Sequence, residues 1–117
     1  MQPADEHPPV IHSGQHGPIW LIEVSGDVDC TALDALAEAT AQGLREQPGP
    51  LVMDLGDLRF ADSSLLNHLL NARAWRRLML VDVPAQMLRV LELTGTAEVF
   101  EMHADVTAAV AAAQTDG

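Results

Sequence analysis

LVMDLGDLRFADSSLLNHLL, residues Leu51–Leu70, passes from strand character to helix character within a short span. Leu51, Val52 and Met53 form an apolar run, broken by Asp54, that suits a buried strand. Gly56-Asp57 signals a turn, and a short apolar step follows at Leu58, Phe60 and Ala61. The chain then pivots at Asp62-Ser63-Ser64 into helical periodicity, with Leu65, Leu66, Leu69, Leu70 and Ala72 on the inner side. Ser64, Asn67, His68, Asn71 and Trp75 trace a second stripe, on which Trp75 either anchors a partner or, the favoured reading, packs half-buried. A strand that feeds a helix through a polar turn can present a reactive or switchable group at the helix N-terminus. Ser63 is the candidate for that group.

The flanking sequence repeats the strand-then-helix alternation. Residues 1–17 read as a flexible tail with an edge strand near Val10–His12, because Pro3, Pro8 and Pro9 oppose a helix. Ile19–Ser25 is a β-branched strand, and Gly26–Cys30 connects it to a helix. Thr31 and Asp34 have capping-box spacing, and Leu33, Leu36, Thr40 and Leu44 make one helical stripe ending near Glu46. Downstream, Arg77–Val81 reads as a strand and Pro84 as a first helical position. Met87, Leu88, Leu91 and Thr94 form that helix's buried stripe, and Gly95 suits its left-handed C′. Val99–Met102 is at most a short strand, and Asp105 caps a final helix before a tail at residues 114–117. The expectation is an α/β fold over residues 18–113: one mixed, mostly parallel sheet with an antiparallel N-terminal edge and about four helices.

Composition removes whole classes of function. The chain has 117 residues and a formal net charge of −11, from 17 acidic residues against 6 basic ones. That surface repels phosphate backbones and anionic lipid, which argues against nucleic acid and against direct membrane insertion. No lysine is present, so a P-loop lysine, a Schiff base and the lysine of a phospho-receiver site are all excluded. Cys30 is the single cysteine, which precludes an intramolecular disulfide. His7, His12 and His16 lack a carboxylate or thiolate partner at ligand spacing, so no metal is expected. No signal segment and no membrane-length apolar run stands out, and the chain reads as cytoplasmic.

The pivot does not carry catalysis either. Ser63 and Ser64 lack the flanking glycines of a nucleophile elbow, and His68 is misplaced to serve Ser63 as a base. Gly26-Asp27-Val28-Asp29 lacks the glycines of a dinucleotide site. Two readings of the hydroxyls stay open: an N-cap with no further role, or a phosphorylation switch. A phosphoryl group there adds about −1.5 to −2 charge, tolerable at a helix N-terminus but repulsive to a docked partner.

Three segments resemble the STAS domain, specifically the stand-alone bacterial anti-sigma-factor antagonists. They are Gly26-Asp27-Val28-Asp29 with Thr31; Leu51–Leu55 through Phe60-Ala61-Asp62-Ser63-Ser64-Leu65-Leu66; and Leu88–Gly95 with Val99-Phe100. The resemblance implies a non-enzymatic, cofactor-free protein, a monomer or weak dimer with no catalytic residue of its own. When unphosphorylated it would bind an anti-sigma factor that is also a serine kinase, and a serine phosphatase would reset it. It implies phosphorylation at Ser63, with Ser64 as second choice, and partner contacts from Asp29, Asp62, Ser64, Leu65, Asn67 and His68. Two departures stand out. Leu65 occupies the family's usual glycine position, and the segment between Leu70 and Leu78 is several residues short. Leu65 supports a competing expectation, a constitutive STAS adaptor in a lipid-transport ABC complex or a signalling scaffold.

Overall fold

The computed structural model describes residues 7–115. Among them the order is β1 (Val10–His16), β2 (Ile19–Val28), α1 (Leu33–Glu46), β3 (Leu51–Ala61), α2 (Ser63–Trp75), β4 (Leu78–Val81), α3 (Ala85–Leu93), β5 (Glu101–His103) and α4 (Val106–Thr115). The sheet runs β1-β2-β3-β4-β5, antiparallel between β1 and β2 and parallel elsewhere, as the alternating sequence implies. The edge strand runs to His16 instead of His12, and the last helix takes in residues 114 and 115 of the expected tail. The remainder of both expected tails, residues 1–6 and 116–117, lies outside the described residues.

Strand alternation sends two sets of side chains to two faces. Ile22, Val24, Leu51, Met53, Leu55 and Leu80 meet Leu36 of α1, Leu65 and Leu69 of α2 and Leu91 of α3 in the main core. Ile19, Val52, Met79 and Val81 point the other way and pack on Ala109 of α4. With so few aromatic residues this core is nearly all aliphatic, and Trp20 is its one indole, donating from Nε1 to the Ala39 carbonyl at 3.0 Å.

Three local readings are corrected. The expected turn at Gly56-Asp57 is absent, and β3 continues for 11 residues to Ala61. Its register against β2 slips between Glu23 and Ser25 and again between Gly26 and Asp27. Each slip places one extra residue on β3, so two bulges absorb the turn-like composition while the parallel pairing persists. The expected Thr31–Asp34 capping box is also absent. A 3-10 turn over Cys30–Ala32 precedes α1, whose N-cap is Ala32 and has no side-chain bond. Finally, Pro84 is the N-cap of α3 and not its first residue, and a 3-10 turn over Ala97–Val99 takes part of the expected last strand. Gly95 does adopt the left-handed backbone, at φ 74, and the Asp105 carboxylate accepts from Ala108 N at 2.8 Å.

The short segment after Leu70 is closed by one side chain. Arg76 donates from Nη1 to the carbonyls of Gln47 at 2.6 Å and Gly49 at 2.8 Å, tying the exit of α2 to the loop that ends α1. Gly43 brings α1 close to Trp20: a Cβ there would lie 2.3 Å from the indole Cδ1. In an exposed helix Gly→Ala gains up to about 1 kcal/mol, but here overpacking reverses the sign. Gly43→Ala is expected to lower stability by about 1–3 kcal/mol in urea titrations followed by circular dichroism.

Candidate functional site

The carboxyl ends of β2 and β3 meet where the two decisive loops begin. Val28 pairs with Ala61, and the Asp62 N–H donates to the Val28 carbonyl at 3.2 Å, carrying the parallel ladder one step past both strands. The following residues therefore leave the sheet side by side. Asp29 enters the 3-10 turn and Asp62 enters α2.

Both aspartates are caps. Asp62 has extended backbone, and its Oδ1 accepts from Ser64 N at 2.8 Å, satisfying an orphan donor of the first helical turn. The cap is thus Asp62, neither of the serines, and Ser63 is the first residue of α2. Asp29 does the same for its turn, with Oδ1 accepting from Thr31 N at 2.9 Å and from the Thr31 hydroxyl. The Thr31 hydroxyl, then the Thr31 backbone N–H, hold this exposed carboxyl below its ordinary value.

The caps leave Ser63 on the outer surface, exposed, with its hydroxyl bonded to no other described residue. Asn67 and Asn71 follow at intervals of four along the same exposed side of α2. Trp75 ends the stripe at 59% exposure, where half-burial was expected. Among the described residues no helix covers that side, and the indole stays exposed.

Of the six expected contact residues, Asp29 and Asn67 are exposed, Asp62 and Ser64 are partly covered, and Leu65 and His68 are buried. The last two lie inside the fold. Leu65 points under the helix into the main core, so the family's glycine position has been used for packing and adds no bulk outside. His68 turns toward α1, where its Nε2 lies 3.0 Å from Thr40 Oγ1. Because that hydroxyl donates to the Leu36 carbonyl at 3.0 Å, it accepts from His68, which fixes the Nε2–H tautomer. The periodicity of α2 allowed either face for His68, and only the buried Thr40 opposite decides it.

A neighbouring feature had no sequence signal. Leu58, Phe60, Ala61, Gln86, Met87 and Val90 line a groove between the end of β3 and α3, two residues from Ser63. Non-adjacent segments build it, so no spacing along the chain reveals it. Among the described residues no cluster of three metal-ligating side chains occurs, and no helix is long and apolar enough to cross a membrane.

This geometry has counterparts. The family described as "Mlab, STAS domain" matches residues 14–112, and the chain belongs to that STAS family. A search of curated proteins finds no match in sequence. In three dimensions, an anti-sigma factor antagonist from Mycobacterium paratuberculosis superposes with a TM-score of 0.82 at 22% identity, over 92% of this chain and 95% of that one. An anti-sigma-factor antagonist (STAS) domain protein from Planctomyces limnophilus gives 0.77 at 18% identity, over 89% and 97%. The unphosphorylated form of the anti-sigma factor antagonist SpoIIAA gives 0.60 at 17% identity, over 85% and 92%. At these identities the likeness establishes the shared fold.

Burial keeps the His68 imidazole below its ordinary value, so the folded state resists protonation. Its contribution to stability is complete above the unfolded value of 6.5 and is lost as pH falls through that value toward the folded one. Glu101, held down to about 2, chiefly by the Arg77 guanidinium, titrates far below this window. Urea midpoints measured from about pH 7.5 to about pH 5.5 are expected to fall for the native protein and to flatten in His68→Gln. Separately, Asp62→Ala is expected to cost about 1 kcal/mol through loss of the α2 cap, read by the same titration at neutral pH.

Proposed function

We propose that the chain is an anti-sigma-factor antagonist, a protein-binding switch. Unphosphorylated, it binds an anti-sigma factor that is also a serine kinase; phosphorylation on Ser63 releases it, and a serine phosphatase restores it. The observation that carries this reading is the exposed, unbonded Ser63 hydroxyl in the first turn of α2, set between two capped aspartate loops. The fold likeness to solved antagonists supports it.

The chemistry follows from the setting. A kinase supplies the base and the metal, and this chain supplies an accessible oxygen held by a capped helix. The phosphoryl group formed there sits at the N-terminus of α2, where the helix dipole tolerates its charge and the fold persists. A partner seated on Ser63, Asn67 and Asn71 meets a different surface. About −1.5 to −2 charge is added beside Asp62 and Asp29 on a chain already at −11, so repulsion and desolvation disfavour the complex.

One competing reading has an observation of its own. The matching family is described as "Mlab, STAS domain", with no anti-sigma role in that description, which leaves room for a constitutive STAS adaptor that binds its partner without phosphorylation.

The two separate in one experiment. With ATP and its cognate serine kinase, intact-mass spectrometry is expected to show one added phosphoryl group, absent in Ser63→Ala. Ser63→Asp is expected to bind that kinase more weakly than the native chain, measured by calorimetry. Continued single modification of Ser63→Ala at Ser64 moves the site. A complex that survives ATP, with no phosphorylation in cells, favours the adaptor.

A further inference from the structure

The groove beside the pivot combines three properties. It is apolar, being lined by Leu58, Phe60, Met87 and Val90. It is open, since Phe60 is 55% exposed and Val90 44%, and Leu93, one turn beyond Val90 on α3, is 74% exposed. Its volume of about 230 Å³ is below the roughly 300–1,000 Å³ of small-molecule pockets, and suits one or two apolar side chains of a docked segment.

Arginines stand at or near it on an acidic molecule, although Asp57 and Asp62 flank the lining segment of β3. Arg59 is one of the lining residues, and Arg89 lies on the outward side of α3 at helical spacing from Gln86 and Leu93. Neither forms an ion pair among the described residues, whereas Arg45 pairs with Glu38 and Arg77 with Glu101. Arg76 is occupied by backbone carbonyls, and Arg73 stands on α2 away from the groove. Glu92, the nearest acid along α3, falls on the side away from Val90 and lines a different hollow with Gly95 and Glu98. Exposed arginines without acidic partners are unexpected where acids outnumber bases 17 to 6; Arg59 lines the apolar groove, and Arg89 is the exposed residue just before Val90 on α3.

We infer that this groove docks an amphipathic partner segment that inserts apolar anchors over Phe60 and Val90 and pairs acidic residues with Arg59 and Arg89. The apolar anchors supply affinity, and the arginines supply orientation and rate of encounter. The surface is separate from the Ser63 hydroxyl, and it holds for either a switched or a constitutive partner.

The test is selection of short random peptides displayed on phage against the immobilised full chain. Sequences that combine Leu, Ile, Phe or Trp with Asp or Glu are expected to enrich. An enriched peptide, titrated in solution, is expected to weaken about tenfold or more in Val90→Asp. Its affinity should also fall with added salt, and the Arg59→Glu/Arg89→Glu pair should shift selection toward Lys and Arg. All three positions are exposed, and circular dichroism checks that each variant folds. No enrichment, enrichment of basic sequences on the native chain, or binding indifferent to Val90→Asp overturns the proposal. So does a native dimer in sedimentation that Val90→Asp disperses, which would make a second copy the occupant. Phosphorylation of Ser63 is read by mass, so failure here leaves that result untouched.

Discussion

The hydrogen bond from Asp62 N to the Val28 carbonyl holds the site together. It is the last rung of the β2–β3 pairing, and it is reached only because β3 keeps its partner through two register slips. The two bulges each add one residue to β3 as it passes Gly56 on its way to Ala61. With them, Asp29 and Asp62 emerge together, and each uses its carboxylate to close the first turn of its own loop. Those bonds determine which groups remain available. Each carboxylate gives one oxygen, Oδ1, to its own turn, and Ser63 faces out beside them.

Much of this architecture is legible in residue patterns. Continuous apolar runs at Leu51–Met53 and Leu78–Val81 mark strands covered on both faces, and the observed sheet buries them all. Gly95 and Asp105 fix helix ends through conformational and hydrogen-bonding chemistry that few other residues supply. What the sequence withholds are choices made by distant groups. Gly56-Asp57 has turn composition, yet the β2 ladder keeps it extended. Thr31 has the spacing of a cap, yet Asp29, two residues earlier, captures it. His68 sits on a boundary of the α2 stripe, and Thr40, on another helix, draws it inward.

Leu65 shows how one departure from a family pattern can be absorbed. At the glycine position beside two hydroxyls, a large side chain would obstruct a partner if it faced outward. As the third residue of a helix capped by Asp62, it faces the sheet and joins Leu69 and Leu91 in the core. At the shortened exit of α2, the Arg76 guanidinium satisfies carbonyls of Gln47 and Gly49 after the end of α1. Both changes are taken up beneath the pivot, and the outer face of α2 carries Ser63, Asn67 and Asn71 with Trp75 at its end. The apolar surface lies instead to one side, along β3 and α3.

The placement of the two indoles has an optical consequence. The chain has no tyrosine, so its near-ultraviolet emission comes from Trp20 and Trp75. Trp20 is enclosed and hydrogen-bonded to Ala39, an environment that shifts emission to the blue, whereas Trp75 meets water at the end of α2 and emits to the red. By helix rise, Trp75 lies about 18 Å from Ser63 along one exposed stripe. One fluorophore therefore follows the integrity of the core while the other sees what covers α2, in the same unlabelled molecule.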